Sequence, residues 1–258
     1  MKITVLTDNA PGHSCLSEFG LSYLIEADKK ILFDTGATDV FLENAKRLEI
    51  SLNDVDSVVL SHGHWDHGNG LKYLHGLKLI CHPEVFMKRY NKKDKRFVGL
   101  NPELQNIDDR FALTTSREPF KISREILFLG EIPRVNEFEA QTTHFFTDDG
   151  REDFVLDDSA LAIKTSNGLV VVSGCAHAGI CNTVEYARKV TGVGNVYAVF
   201  GGFHLRADND QTHRTIEFFK QLAIPRIYPA HCTALPAMVR FYEAFNIHQV
   251  LTGDHFYF

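Results

Sequence analysis

The sequence predicts an α/β protein, and three observations predict it. Short apolar runs with strand character recur along the chain, among them Val55-Asp-Ser-Val-Val-Leu, Gly168-Leu-Val-Val-Val-Ser-Gly and Asn195-Val-Tyr-Ala-Val-Phe-Gly-Gly. Segments with helical spacing of apolar residues lie between such runs. Histidines stand at the exits of several strands, in loops of the kind that a rigid sheet holds in place for function.

Taken in order, Met1-Lys-Ile-Thr-Val-Leu-Thr alternates and reads as a first strand. Residues 22–27 and 30–36 read as paired strands joined by the polar turn Asp28-Lys29-Lys30. Residues 40–48 have helical spacing, with Phe41, Leu42, Ala45 and Leu48 on one side. A buried strand at 55–60 runs straight into a histidine cluster, and a helix is expected from 68 to 74. The middle, from about 85 to 146, is less regular. Its basic stretch, residues 88–96, reads as a solvated surface, and the acidic run 148–153 as an exposed turn. The last third returns to strand–loop–helix units. Its strands end in Cys175-Ala-His177, Phe203-His204 and His231-Cys232, with helices expected near 181–190, 212–222 and 235–245.

No Pro/Gly/Ser-rich linker divides the 258 residues, so one domain spanning 1–258 is expected. A hydrophobic content of 44% with 23% charged residues suits a water-soluble fold. The formal charge of -6 opposes a nucleic-acid partner but not a small anionic substrate, since a metal sets its own local field. No window approaches the roughly 18 apolar residues of a membrane span, and the N-terminus lacks the apolar region of a signal peptide. The five cysteines are odd in number and scattered, which predicts free thiols and a cytoplasmic setting. Oligomeric state is left open.

The chemistry is concentrated in Ser61-His62-Gly63-His64-Trp65-Asp66-His67-Gly68. Three imidazoles and a carboxylate in six positions are costly to bury, because each neutral ring carries a donor and an acceptor that need partners. A metal satisfies them, since imidazole and carboxylate bind zinc at about 2.0–2.2 Å. Alternation along a strand exit directs His62 and His64 toward one point. Asp66 and His67, at the start of the next helix, reach a second. Two sites need further ligands, and His177 and His231, each following an apolar strand, are the candidates. His204 is expected to touch substrate or support the ligands. His13, His75, His82, His144, His213, His248 and His255 have no comparable context.

At these residues the chain resembles the metallo-β-lactamase superfamily, whose signature is His-x-His-x-Asp-His. Phe33-Asp34-Thr35-Gly36 resembles that family's early aspartate motif, which implies that Asp34 supports the metal loop through hydrogen bonds. The resemblance implies an αββα four-layer sandwich, with two mixed sheets face to face, helices outside and metals at one edge. A narrower resemblance rests on Glu18-Phe-Gly-Leu-Ser, Phe128-Leu-Gly-Glu-Ile-Pro-Arg, Ser173-Gly-Cys-Ala-His-Ala-Gly with Asn182-Thr183, Gly201-Gly-Phe-His-Leu and His231-Cys-Thr, in that order. It points to the branch of dihydropteroate-synthase-like and ribofuranosylaminobenzene 5′-phosphate synthase-like proteins, hence to pterin and phosphorylated-sugar chemistry. The superfamily's better-known hydrolases carry a metal-bridging aspartate at a later strand end. Here Cys175-Ala-His177 occupies that place, leaving Cys175, Asp157 or Asp158 to compensate and the second site the weaker.

The expected activity is that of a metal-dependent hydrolase. A metal-bound hydroxide would attack a small anionic substrate of phosphoester or pterin-phosphate type, with Asp66 in the catalytic group. Zinc at two sites is expected, the second partly occupied, with manganese or iron as alternatives. Arg134, His204 and residues 92–96 are candidate anion-holding groups. A diiron oxidoreductase would want more carboxylate ligands, and a non-hydrolytic metal- or pterin-binding protein is the other competing reading.

Overall fold

A computed structural model describes every residue from 1 to 258 except His13 and Gln105. His13, one of the histidines without context, therefore lies outside the described residues. The first half of the chain holds β1 (Lys2–Thr7), β2 (Ser22–Glu26), β3 (Lys30–Phe33), α1 (Val40–Arg47), β4 (Ser57–Val59), α2 (Trp65–Gly68) and β5 (Lys78–Cys81). The middle holds β6 (Arg89–Asn91), β7 (Ala112–Thr115), β8 (Phe120–Lys121), β9 (Ile126–Phe128), β10 (Phe145–Thr147) and β11 (Glu152–Asp153). The remainder holds β12 (Ala160–Thr165), β13 (Gly168–Ser173), α3 (Ile180–Thr191), β14 (Val196–Gly202), α4 (Asp210–Gln221), β15 (Arg226–Ala230), α5 (Leu235–Phe245) and β16 (His255–Tyr257).

Side-chain alternation decides how these elements stack. In β3, Ile31 and Phe33 point one way and Leu32 the other, as the two-residue period of a strand requires. Ile31 and Phe33 join a buried cluster with Leu161, Val170 and Phe200 of the opposite sheet. Leu32 packs outward with Phe41 and Ala45 of α1. On the far side, Leu169 and Val171 pack under Val184, Phe219 and Phe241 of α3, α4 and α5. Each such large side chain contributes about 1.5–3 kcal/mol on burial, an upper figure. The result is the expected αββα sandwich.

Both sheets are mixed. The seven-stranded one runs β16-β1-β2-β3-β4-β5-β7 and the six-stranded one β15-β14-β13-β12-β9-β8. Strands β3, β4, β5 and β7 are parallel, as are β13, β14 and β15. Parallel strands end at a common edge, so the loops after β3 and β4, and those after β13, β14 and β15, gather there. This is where open α/β sheets place ligands.

Several expectations change. The helix expected at 68–74 begins earlier, as α2, and tightens into a 3-10 turn at Asn69–Tyr73. Two glycines of poor helix propensity, Gly68 and Gly70, explain the short run. The irregular middle supplies β7, β8 and β9 to the large sheets and a third sheet, β11-β10-β6. Its strands are two to four residues long, too short for alternation to be read. The basic stretch is not wholly solvated, because Arg89 is fully buried and donates to Asp157 at 2.8 Å. Nor is the acidic run wholly exposed. Asp153 is buried 3.4 Å from the Arg89 guanidinium. All five cysteines are free, and among the described residues no helix is long and apolar enough to cross a membrane.

Candidate metal centre

The site is built outward from one buried carboxylate. Asp34 follows β3 with φ +57°, a left-handed conformation that costs a non-glycine residue about 1–2 kcal/mol. Two bonds hold it there: its N–H donates to the Val59 carbonyl at 2.8 Å, and its carbonyl accepts from Ser22 Oγ at 2.9 Å. The carboxylate then accepts from Ser61 N, Ser61 Oγ and His67 Nδ1, each at 2.7 Å. A carboxylate only accepts, so the His67 proton sits on Nδ1 and its Nε2 keeps a lone pair. The Ser61 hydroxyl has spent its proton on Asp34 and must accept from His62 Nδ1, 2.9 Å away, which frees His62 Nε2 in turn. One carboxylate thus orients two imidazoles.

The freed nitrogens converge with others. Ligand atoms of His62, His64 and His177 all lie within 4.8 Å of one another, as do those of Asp66, His67 and His231. His62, His67 and Cys175 make a third such group, taking one histidine from each trio. His62 Nε2 is 2.9 Å from His64 Nδ1, and His67 Nε2 lies 3.1 Å from His231 Nε2 and 3.2 Å from Cys175 Sγ. Asp66 Oδ2 stands 3.4 Å from His231 Nε2. Nε2 of both His64 and His177 is buried without a hydrogen-bond partner.

Burial holds the imidazoles of His62, His64 and His177 well below the ordinary histidine range, so they are neutral and offer lone pairs. Burial would lower His231 too, but the hydrogen bond to Asp66 and the negative charges of Cys232, Asp66 and Asp8 together outweigh it and push that ring up to about 9. Burial also raises the Cys175 thiol well above its usual value. A divalent ion must displace protons from both groups. Converging neutral imidazoles, one carboxylate, one thiol and unpartnered buried nitrogens are a donor set that fits zinc-like metals.

Packing around the trios fixes their geometry. A Cβ on Gly63, between His62 and His64, would lie 1.9 Å from the Val85 carbonyl oxygen, and one on Gly174 would lie 2.1 Å from Ser61 Oγ. Gly63 N–H donates to Asp157 at 2.7 Å, and Asp157 is the partner of buried Arg89. His231, with φ +48°, is held by its ring contact to Asn9 Oδ1 at 3.1 Å, by Asn9 Nδ2 donating to its carbonyl, and by its own N–H donating to Asp8. The loop carrying His177 runs into α3, whose N-cap, Gly179, has no side chain. Glu139 caps the helix from a distance, accepting from Cys181 N and Asn182 N at 2.9 Å each. Glu139→Ala is expected to lower stability by about 1–2 kcal/mol, a lost cap, and the melting temperature by roughly 2–8 °C. A thermal melt of both proteins checks this, and an unchanged midpoint would dismiss the capping role.

The trios open on a cavity of about 580 Å³. Phe19 stacks on Trp65 at its rim, centroids 5.9 Å apart, and the Phe145 ring lies 4.5 Å from that of His64. Lys92, Lys93, Arg96 and Arg206 line it, with Asp66 as the single carboxylate. Part of the basic stretch therefore faces the site, whereas Arg134 is committed elsewhere, donating to the carbonyls of Phe154 and Val155. His204 lies 4.3 Å from the His177 ring, and burial, aided by Arg206, pushes it down to about 3. Asp158 sits behind the trios, accepting from Ala178 N at 2.9 Å, and belongs to none of the three groups. Sequence reading missed Ser61, Asp8 and Asn9. Ser61 was adjacent to the motif and needed only the rule that a ligating histidine's other nitrogen seeks a partner. Asn9 carries no such signal, being 222 positions from His231. His144, left without context, lines the cavity, while buried His82 lies away from it and accepts from Glu84 N.

Residues 17–181 match the model of the metallo-beta-lactamase superfamily. A protein of Methanocaldococcus jannaschii named 7,8-dihydropterin-6-methyl-4-(beta-D-ribofuranosyl)-aminobenzene-5'-phosphate synthase is 35% identical, over 95% of this chain and 92% of that one. An uncharacterized protein of the same organism is 34% identical, over 95% of both. The crystal structure of a metal-dependent hydrolase of the beta-lactamase superfamily matches with a TM-score of 0.90 at 30% identity, covering 100% of this chain and 99% of that one.

Proposed function

The chain belongs to the metallo-beta-lactamase superfamily, and from that premise we propose that it is a two-metal hydrolase of a small anionic ester, of phosphoester or pterin-phosphate type. His62, His64 and His177 hold one ion in this reading, and Asp66, His67 and His231 the other, with zinc assigned first and manganese or iron as alternatives. When bound, such ions supply a water of pKa about 7 and offset the charge that develops on the substrate. The observation that carries the reading is the cavity's charge. Four cations line the cavity onto which the trios open, with Asp66 as its one carboxylate, in a chain whose net charge is -6.

The chain's own groups divide the remaining work. Asp34 and Ser61 keep His62 and His67 in the ligating tautomer. Asp66, the carboxylate in the cavity, accepts a proton from the attacking water. His204 Nε2 accepts from Arg206 at 2.9 Å, which leaves Nδ1–H as the donor to a substrate oxygen. Phe19 and Trp65 wall off bulk water at the rim. An iron pair of oxidoreductase type is disfavoured by a donor set with one carboxylate.

Two observations favour a second reading, transfer to an acceptor other than water. The M. jannaschii relative is named a synthase, and a second cavity of about 240 Å³ shares His177, His204 and Arg206 with the first. The test is metal analysis of protein purified without added metal, with a panel of phosphoester, thioester and lactam substrates. Hydrolysis of one phosphoester, abolished by chelation and restored by zinc, is the expected result. Metal-loaded protein inert to the whole panel would overturn hydrolysis and leave transfer or non-catalytic binding.

A further inference from the structure

Four cations reach the cavity, but they are not equivalent. Lys92 pairs with Glu152, and Arg96 stands 3.9 Å from Asp94. Lys93 and Arg206 have no carboxylate partner among the described residues. Lys93 is exposed and lies on the turn after β6, and Arg206 is exposed on the loop after β14. Arg206 gives one N–H to His204 and retains the rest of its five-donor fork. Chain segments far apart in sequence thus bring two positive charges without a carboxylate partner to the cavity onto which the histidine centre opens.

Cations without a carboxylate partner on an acidic chain raise the local concentration of anions. The reacting group needs neither of them, because the metal trios meet its charge. We propose that Lys93 and Arg206 clamp a second anionic group of the substrate, distinct from the group that reacts, so that the substrate class is doubly anionic. This rests on the two-metal hydrolytic reading and adds the residues that select among its substrates.

Trp65 is the chain's one tryptophan and lines the cavity, so its fluorescence reports occupancy without any turnover. The probes are fructose 1,6-bisphosphate and fructose 6-phosphate, titrated into zinc-loaded protein at low salt. The bisphosphate is expected to bind about tenfold more tightly, the gain from one further charge-assisted contact. Lys93→Gln should remove most of that difference and leave the monophosphate within about twofold of wild type; Arg206→Gln should also remove most of it, while Arg206→Lys retains part of it. Lys92→Gln should leave the difference intact, since Glu152 already compensates that charge. The preference should also shrink as salt screens the exposed charges. Equal affinities for the two probes in the wild type, including no binding of either, would overturn the clamp. So would a preference that survives both glutamine variants. The hydrolytic reading falls separately, on the substrate panel.

Discussion

His62→Ala is expected to cost the protein most of its metal while its fold stays in place. The ligand atom of His62 belongs to two of the three convergent groups, the trio with His64 and His177 and the trio with His67 and Cys175. Its removal also leaves the Ser61 hydroxyl without the ring it braces, at 2.9 Å. The surrounding strands do not depend on that ring, because β4 is held by its ladders to β3 and β5. Metal content measured after dialysis should fall from two ions per chain to one or fewer. Ester hydrolysis should fall by about 10³-fold, the scale of losing a principal stabiliser of transition-state charge. The far-ultraviolet circular dichroism should match the wild type. Full metal stoichiometry in this variant would sink the proposed ligand set. Asp34→Asn acts on the same atoms from behind. An amide can accept from only one side, so metal affinity should drop by about 10–100-fold with both rings still present.

The part of the site that was legible in the sequence is the part that is local. His62, His64, Asp66 and His67 fall within six positions, and a strand exit followed by a helix start brings them together without help from distant chain. His177, His204 and His231 were legible for a different reason. Each follows a strand, β13, β14 or β15, and parallel strands deliver their ends to one edge. What supports those residues was not legible. Asp8 and Asn9 meet His231 only because β1 and β15 end at the same edge of facing sheets. Arg89 lies in a run of lysines and arginines that reads as solvent-facing, and nothing local shows that Asp153 and Asp157 will close over it. The strained backbone at Asp34, Ala176, His204 and His231, all at positive φ without being glycine, also has no sequence signature. Surrounding structure imposes that strain at these four positions of the site, as it does at six other non-glycine residues elsewhere. The fold's helices were read to within a few residues except near the motif, where Gly68 and Gly70 cut the helix short.

The second metal site is expected to be the weaker, and Cys175 to decide by how much. Two divalent ions a few ångströms apart repel about four times as strongly as two unit charges, and a bridging anion is the protein's means of offsetting this. No aspartate stands at the exit of β13. Cys175 does, with Sγ 3.2 Å from His67 Nε2 and grouped with one histidine from each trio. Asp157 is occupied by Arg89 and Gly63, and Asp158 by Ala178 N, so neither is grouped with the trios. A thiolate at Cys175 would supply one negative charge between the ions, but burial keeps that thiol protonated until a metal displaces the proton. Calorimetric zinc titration of the apoprotein should therefore show two unequal steps, the weaker strengthening as pH rises and when phosphate is added. Cys175→Ala should weaken the second step by about 10–100-fold and leave the first nearly unchanged, the scale set by losing one contact at a metal. Cys175→Asp should restore the second step and flatten its pH dependence, because a carboxylate needs no proton removed near neutrality. Two equal steps in the wild type, indifferent to pH and phosphate and untouched in Cys175→Ala, would place the bridging charge on another group. Asp158, with one carboxylate oxygen buried and unpartnered, would then be the residue to change next.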